Sequence, residues 1–327
     1  MAERKLVYVE NRLAADSPYH VHAAAVRGAL EAAGVEADVL LRPESRPDFA
    51  SLASADYFIG SGFDPGRIRD HGGRLRLVHC TSAGVEKYMP LDWLPPGATL
   101  TNSSGVHAEK GGIFGAMSVL MALEEVPRHA FNQRRHHWDA RLTTGVKGKT
   151  VLFVGTGALG SAIARQVRPF GIRVIGVSRT GAPHADFDAV FPREKLEALL
   201  PDADCLVMSC PLTPETRGMI SARHFDLMKA GASVFNIARS GVMDYRALVA
   251  ALRSGKLSCA ILDVFDTEPL PADDALWDAP NLTLFPHISC DDHDGYIDRC
   301  LRIFAGNIRR IEAGEPLVNV IDPVAGY

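Results

Sequence analysis

Thr150-Val151-Leu152-Phe153-Val154-Gly155-Thr156-Gly157-Ala158-Leu159-Gly160 is the stretch on which the fold of this chain turns. Its first five residues are mostly β-branched, aromatic or aliphatic and read as a strand over 150–154. The Ala-rich run that follows the glycines reads as a helix over 158–170. Between them Gly155, Thr156, Gly157, Ala158, Leu159 and Gly160 fit Gly-x-Gly-x-x-Gly. Such a match is weak alone, because Gly and Ala are common. Here the strand before it and the helix after it give each glycine a physical task. The first permits a tight turn, the second lets backbone approach a pyrophosphate, and the third lets helix pack on strand. The pyrophosphate then lies at the positive end of the helix.

Outward from this loop, strands and helices alternate. Downstream, strands are expected over 173–177, 204–209, 233–238, 259–263 and 283–285, with a helix over 245–254. Upstream, an apolar helix is expected over about 113–126. The first hundred residues alternate in the same way, with strands over 6–10, 37–41, 57–60, 75–80 and 99–102 and a helix over 19–33 that stops at Gly34. A last helix over about 293–312 leads into the tail GEPLVNVIDPVAGY. Alternation of this kind implies parallel sheets with helices on both faces. The expected architecture is α/β, with two doubly wound parallel-sheet domains and a cleft between them. Residues 1–104 with 291–327 form a flavodoxin-like domain, and residues 105–290 form a Rossmann dinucleotide-binding domain.

Bulk properties narrow the function. A length of 327 residues suits two domains, and 47% hydrophobic with 23% charged residues is ordinary for a soluble globular protein. The net charge of -4 offers no general attraction to nucleic acid or anionic membrane. Six cysteines stand at Cys80, Cys205, Cys210, Cys259, Cys290 and Cys300 without a Cys-x-x-Cys pair, so neither a metal site nor a disulfide framework is expected. The start, MAERKLVYVE, lacks the apolar run and cleavage site of a secretory signal. No apolar stretch approaches the roughly 20 residues that span a bilayer. The expected compartment is the cytoplasm.

The strand after the glycine loop ends in Ser178-Arg179-Thr180. A cofactor without a 2′-phosphate usually meets an acid there, which accepts from the ribose hydroxyls. Arg179 instead suits a 2′-phosphate, and the flanking hydroxyls can donate to it. NADP is therefore the expected cofactor, with NAD as the alternative. Three further residues, Arg239, Glu268 and His287, each follow an expected strand end. Singly, each reads as a surface charge, a loop carboxylate or a structural imidazole. At the carboxyl edge of one parallel sheet they converge, and they supply a cation for a carboxylate, a proton donor and a carboxylate to tune it.

These stretches run in a recognisable order: SAGVEKY, GTGALG, CPLTPETRGMI, NIARSGVMD, ALRSGKLSCAILDVFDTEPLP and PHIS. The chain thereby resembles the D-isomer-specific 2-hydroxyacid dehydrogenase family over about residues 81–289. The SRT signature is most similar to the glyoxylate/hydroxypyruvate reductase branch. The resemblance implies hydride transfer between NADP(H) and C2 of a small 2-keto or 2-hydroxy acid. It implies that His287 is the acid/base, that Glu268 favours its charged form, and that Arg239 holds the substrate carboxylate. It implies a second carboxylate clamp from backbone N–H groups of the 82–85 turn, at Ala83 and Gly84. Cys210, Pro211, Thr216, Ile237 and Ala238 then line the cofactor slots, with Asp263, His287 and Ser289 on the nicotinamide side. A homodimer is also implied.

The sequence departs from the family pattern in three places. Ser240 follows Arg239 where Gly is usual, with Gly241 next. Gly112-Ile113 replaces the usual Ala-Glu in the linker helix. Cys290-Asp291-Asp292-His293 replaces small residues after PHIS. Two rival readings share the fold, a dinucleotide-sensing binding protein and a formate- or phosphite-type dehydrogenase. Intact Arg239, Glu268 and His287 count against the first. The segment around His287 lacks the extra polar residues expected of the second.

Overall fold

In a computed structural model the chain divides into two compact units, Met1–Val106 with Asp292–Tyr327, and His107–Asp291. The residues described are 4–292, 295–324 and 326. The elements begin with β1 (Lys5–Asn11), α1 (Ala23–Ala32), β2 (Ala37–Pro43), α2 (Phe49–Ser54), β3 (Tyr57–Ser61), α3 (Pro65–His71), β4 (Leu77–Cys80) and β5 (Thr99–Thr101). They continue with α4 (Ala108–Leu123), α5 (Val126–Arg134), β6 (Thr150–Val154), α6 (Ala158–Val167), β7 (Arg173–Ser178), β8 (Ala189–Pro192) and α7 (Leu196–Leu199). The chain ends with β9 (Cys205–Met208), α8 (Ala222–Leu227), β10 (Ala232–Asn236), α9 (Tyr245–Arg253), β11 (Leu257–Leu262), β12 (Leu282–Leu284) and α10 (Tyr296–Ala313). No described helix is long and apolar enough to cross a membrane.

In the first unit five strands lie in the order β2-β1-β3-β4-β5, and every pair is parallel. Alternate side chains go to opposite layers. Val7, Val9, Tyr57 and Ile59 pack with Cys300, Leu301, Phe304 and Ile308 of α10. Tyr8, Phe58, Val78 and Cys80 pack on the other side with Leu52, Ile68, Tyr88 and Trp93. In the second unit seven strands lie in the order β12-β11-β10-β9-β6-β7-β8, again all parallel. The order reverses between β6 and β9, which is the doubly wound pattern. Burial on both faces explains strands such as VLFV and CLVM, which are apolar throughout rather than alternating.

Several elements differ from the sequence reading for identifiable reasons. The helix expected over 113–126 begins at Ala108. Its early glycines do not break it but let α4 lie close against α6. A Cβ at Gly112 would stand 3.0 Å from Ala162 Cβ, and one at Gly115 would stand 2.4 Å from Ile163 Cδ1. Ile113 points outward, 61% exposed. The helix expected from residue 19 begins at Ala23, because the Asn11 side chain holds the Val21 backbone by both its N–H (2.9 Å) and its carbonyl (2.8 Å). Short α2, α3, α5 and α8 and the edge strand β8 carry too little periodicity to be read. Asp48 and Asp64 cap the first two of these, each accepting a backbone N–H. Residue 293, where the last helix was expected to start, lies outside the described residues, as does the His293 end of the acidic departure.

The α4–α6 contact leaves no space at Gly115. Gly115→Val should lower the urea midpoint, with a loss of about 1–3 kcal/mol typical of overpacking. Unchanged chemical denaturation would show that Ile163 can move aside.

Candidate active site

The turn after β6 is built by exclusion. Gly155 has φ +110, and a Cβ there would stand 2.7 Å from Cys210 N. A Cβ at Gly160 would stand 2.3 Å from Gly155 O, so α6 presses directly on the strand end. Ser209 Oγ donates to that same carbonyl at 2.9 Å. Gly157 differs, because nothing lies within 4 Å of its would-be Cβ. It precedes α6, whose first N–H groups face outward from this loop. A turn closed at two glycines and open at the middle one, at a helix N-terminus, fits a dinucleotide pyrophosphate.

Ser178 ends β7, and its Oγ accepts from Gly181 N at 3.0 Å. Thr180 Oγ1 accepts from Ala182 N at 3.3 Å. Arg179 is exposed between them. Arg193 follows β8 at the same sheet edge and, like Arg179, acts on Glu215, a second cation that no sequence motif marks. Glu215 is held below the usual carboxylate range chiefly by a hydrogen bond from Thr213, with smaller help from Arg193 and Arg179. Around the corner, the Thr216 hydroxyl donates to Pro211 O at 2.7 Å and fixes the Cys210-Pro211 turn. Burial pushes the Cys210 thiol up to about 12, so it lines this wall as a neutral group.

Asn236, buried at the end of β10, organises the next segment. Its Oδ1 accepts from Ala238 N at 3.0 Å. Its Nδ2 donates to Arg239 O at 3.1 Å and to Tyr245 Oη at 3.0 Å. Tyr245 in turn donates to Val264 O at 2.8 Å. One side chain thus ties the Ile237-Ala238-Arg239 backbone to the segment after β11. Arg239 Nη1 donates to Ala238 O at 2.8 Å. Ser240 opens a single 3-10 turn and has no positive φ, so glycine is not needed there. Asn236 and Tyr245 escaped the sequence reading as positioning groups because Tyr245 lies on α9 and its acceptor Val264 follows β11, so no single window holds the chain of bonds.

Asp263 follows β11 and is 2% exposed. Its Oδ1 accepts from Ile288 N (3.1 Å) and Ser289 N (3.3 Å). The buried Ser289 hydroxyl lies beside this carboxylate but meets hydrogen-bond geometry with no described group. Five residues on, Glu268 Oε1 accepts from Phe265 N at 2.9 Å. Its other oxygen accepts from His287 Nδ1 at 2.8 Å. A carboxylate only accepts, so Nδ1 carries hydrogen and Nε2 is left for other work. His287 adopts φ +54, a conformation rare for a side chain of this size and one that clusters at functional sites. Its side chain is 47% exposed. The structure therefore brings Glu268 and His287 together, and joins Asp263 to the backbone beside them.

Ala83 and Gly84 belong to the first unit. Asn102 Nδ2 donates to Ala83 O at 2.5 Å, and Ser82 Oγ donates to Gly84 O at 2.8 Å. Among the described residues the Ala83 and Gly84 N–H groups have no acceptor. The turn thus has its carbonyls held and two donors to spare.

The chain was compared with known proteins. A family model described as D-isomer specific 2-hydroxyacid dehydrogenase, NAD binding domain, matches residues 116–289. A glyoxylate reductase of Thermococcus litoralis is 35% identical over 265 residues, covering 78% of this chain and 79% of that one. A D-isomer-specific 2-hydroxyacid dehydrogenase structure from Xanthobacter autotrophicus, in complex with NADPH and MES, is 31% identical with a TM-score of 0.84 and covers both chains fully. A structure of an NADPH-dependent glyoxylate/hydroxypyruvate reductase from Sinorhizobium meliloti, with NADP and sulfate, is 26% identical with a TM-score of 0.81. That match covers 99% of this chain and 100% of the other.

Burial raises the Asp263 carboxyl above the ordinary carboxylate range, and the Ser289 and Ile288 groups only partly offset it. The folded chain therefore holds that proton more tightly than the unfolded chain. Stability should fall as pH rises from about 4, the unfolded carboxyl's range, toward the raised folded-state value. Asp263→Asn should flatten that descent. Urea midpoints between about pH 4 and 7 that slope alike in both proteins would contradict it.

Proposed function

We infer that this chain, which belongs to the D-isomer-specific 2-hydroxyacid dehydrogenase family, reduces a small 2-keto acid of the glyoxylate/hydroxypyruvate type with NADPH. The observation that carries the reading is the His287–Glu268 pair, a proton donor oriented by a backbone-anchored carboxylate. It stands in the same unit as a glycine turn with room for a pyrophosphate. The relatives named above act on the same substrate class.

Bound nicotinamide supplies the hydride for C2. Protonated His287 gives the Nε2 proton to the ketone oxygen, and Glu268 holds Nδ1 and so orients the ring. Arg239 grips the substrate carboxylate and polarises the carbonyl. The spare Ala83 and Gly84 N–H groups make the second grip. In the reverse direction neutral His287 takes the hydroxyl proton as hydride leaves C2. Asp263 and Ser289 hold the nicotinamide side, and Cys210, Pro211, Thr216, Ile237 and Ala238 line the rest of the cofactor slot.

NADPH is preferred because Arg179, with Arg193 beside it, offers two cations where an acid would repel a 2′-phosphate. We further read the chain as a homodimer. Ile113, Met117, Val126, Trp138 and Leu142 all lie exposed on the second unit, as a face covered by a second copy would leave them. Six free cysteines support a reducing compartment such as the cytoplasm.

His287→Ala should cut kcat for 2-keto acid reduction by about a hundredfold or more. Glu268→Gln should also lower kcat, because Nδ1 loses the carboxylate that orients the ring. Near-normal turnover in folded His287→Ala would remove the assignment.

For the cofactor, Arg179→Ala should raise KM for NADPH tenfold or more and change KM for NADH little. Charge-assisted bonds of roughly 1.5–3 kcal/mol set that scale. Equal use of NADH and NADPH by the wild type would make Arg179 a plain surface residue.

A further inference from the structure

Among the described residues the first unit carries a cation with no partner, Arg12, at the place where its sheet reverses order. Arg12 directly follows β1 and Gly62 follows β3, and these strands are neighbours in β2-β1-β3-β4-β5. From β1 the chain leads outward to β2, and from β3 it leads the other way to β4. Open parallel sheets bind ligands outside the carboxyl ends of their strands at such a switch point.

The pairings Asn11↔Ser61 and Gly60↔Cys80 continue to put Arg12, Gly62 and Ser82 in one row across this edge. Tyr8, Phe58, Val78 and Cys80 all enter the same layer. The two-residue period therefore gives Arg12, Gly62 and Ser82 that same face. Gly62 has φ +74, and a Cβ there would stand 3.0 Å from Arg12 Cδ and 3.4 Å from Nη1. The Arg12 stem thus crosses the space that any other residue at 62 would fill, in the direction of Ser82.

The nearby carboxylates are engaged elsewhere. Arg67 faces Glu10 at 4.0 Å and both Glu44 and Asp64 at 3.6 Å. Among the described residues Arg12 makes no hydrogen bond or ion pair. With strands about 4.8 Å apart, Arg12 and Ser82 are separated by about 10 Å of backbone, and the Arg side chain spans the first part of it, over Gly62. Beyond Ser82 lie the two unused N–H donors of Ala83 and Gly84. A short molecule with a carboxylate at each end suits these two anchors.

We propose that Arg12 is a specificity-determining residue that binds a second carboxylate on the substrate, so that short 2-keto diacids are preferred over monoacids of equal length. The proposal rests on the reading that the chain reduces 2-keto acids whose first carboxylate meets the Ala83-Gly84 turn. Its chemistry is recognition only, a charge-assisted fork on a carboxylate.

The test compares kcat/KM, with NADPH saturating, for matched pairs: oxaloacetate against 2-ketobutyrate, and 2-ketoglutarate against 2-ketovalerate. In the wild type at least one diacid should exceed its partner by roughly tenfold or more, the scale of one charge-assisted contact. Arg12→Gln should bring that ratio toward one, and Arg12→Lys should keep part of it. Arg12 is exposed, so circular dichroism should show both variants folded. Ratios at or below one for both pairs in the wild type would overturn the proposal, as would a ratio that Arg12→Gln leaves unaltered. Absence of NADPH oxidation with every 2-keto acid would overturn the reductase reading itself, and the proposal with it.

Discussion

The contact between Gly160 and the Gly155 carbonyl fixes more than a turn. Helix α6 approaches β6 so closely that no side chain fits at Gly160, and Ser209 from the neighbouring strand bonds to the same carbonyl. Three backbone segments therefore meet at one oxygen. Their meeting sets the height of α6 over the sheet, and α6 in turn carries Ala162 and Ile163, against which the glycines of α4 lie. Loosening this point would shift the helix N-terminus that faces the loop and, through α4, the packing that the rest of the second unit is built around.

From there the site is extended by hydrogen bonds between consecutive strand ends. Asn236 reaches Tyr245, Tyr245 reaches Val264, and Phe265 holds Glu268, which holds His287. Each strand end thus borrows its rigidity from its neighbour. The imidazole is half exposed, yet its orientation is set from behind by a carboxylate that is itself held by backbone. Exposure and order coexist because polar groups, not packing, supply the restraint.

What could be read in advance follows the range of the determinant. The glycine loop was legible because strand, turn and helix are contiguous, so one window holds the whole argument. Six of the seven strands of the second sheet were legible, the central ones because burial on both faces writes itself as an unbroken apolar run; the half-buried edge strand β8 was not. Glu268 and His287 could be named because each sits in a short ordered motif. Asn236, Tyr245 and Arg193 were not legible as positioning or accessory groups, because their meaning lies in partners from other elements of the fold. The start of α4 was placed past Gly112, since glycine reads as a helix breaker unless the opposing helix is known. The same reasoning hid Arg12, whose context comes from the strand order of the first sheet.

The core of the first unit includes Tyr296, Cys300, Leu301 and Phe304 of α10, and Ile321 donates its backbone N–H to Leu100 O at 3.0 Å. These groups are made last on the ribosome, more than two hundred residues after the strands they cover. The second unit is contiguous, from His107 to Asp291, and has all its strands before α10 emerges. Synthesis from the N-terminus therefore imposes an order in which the unit begun first is finished second. Until then that layer of its sheet has only α1 for a cover, and part of the apolar surface of Val7, Val9 and Ile59 is one that a chaperone is suited to shield.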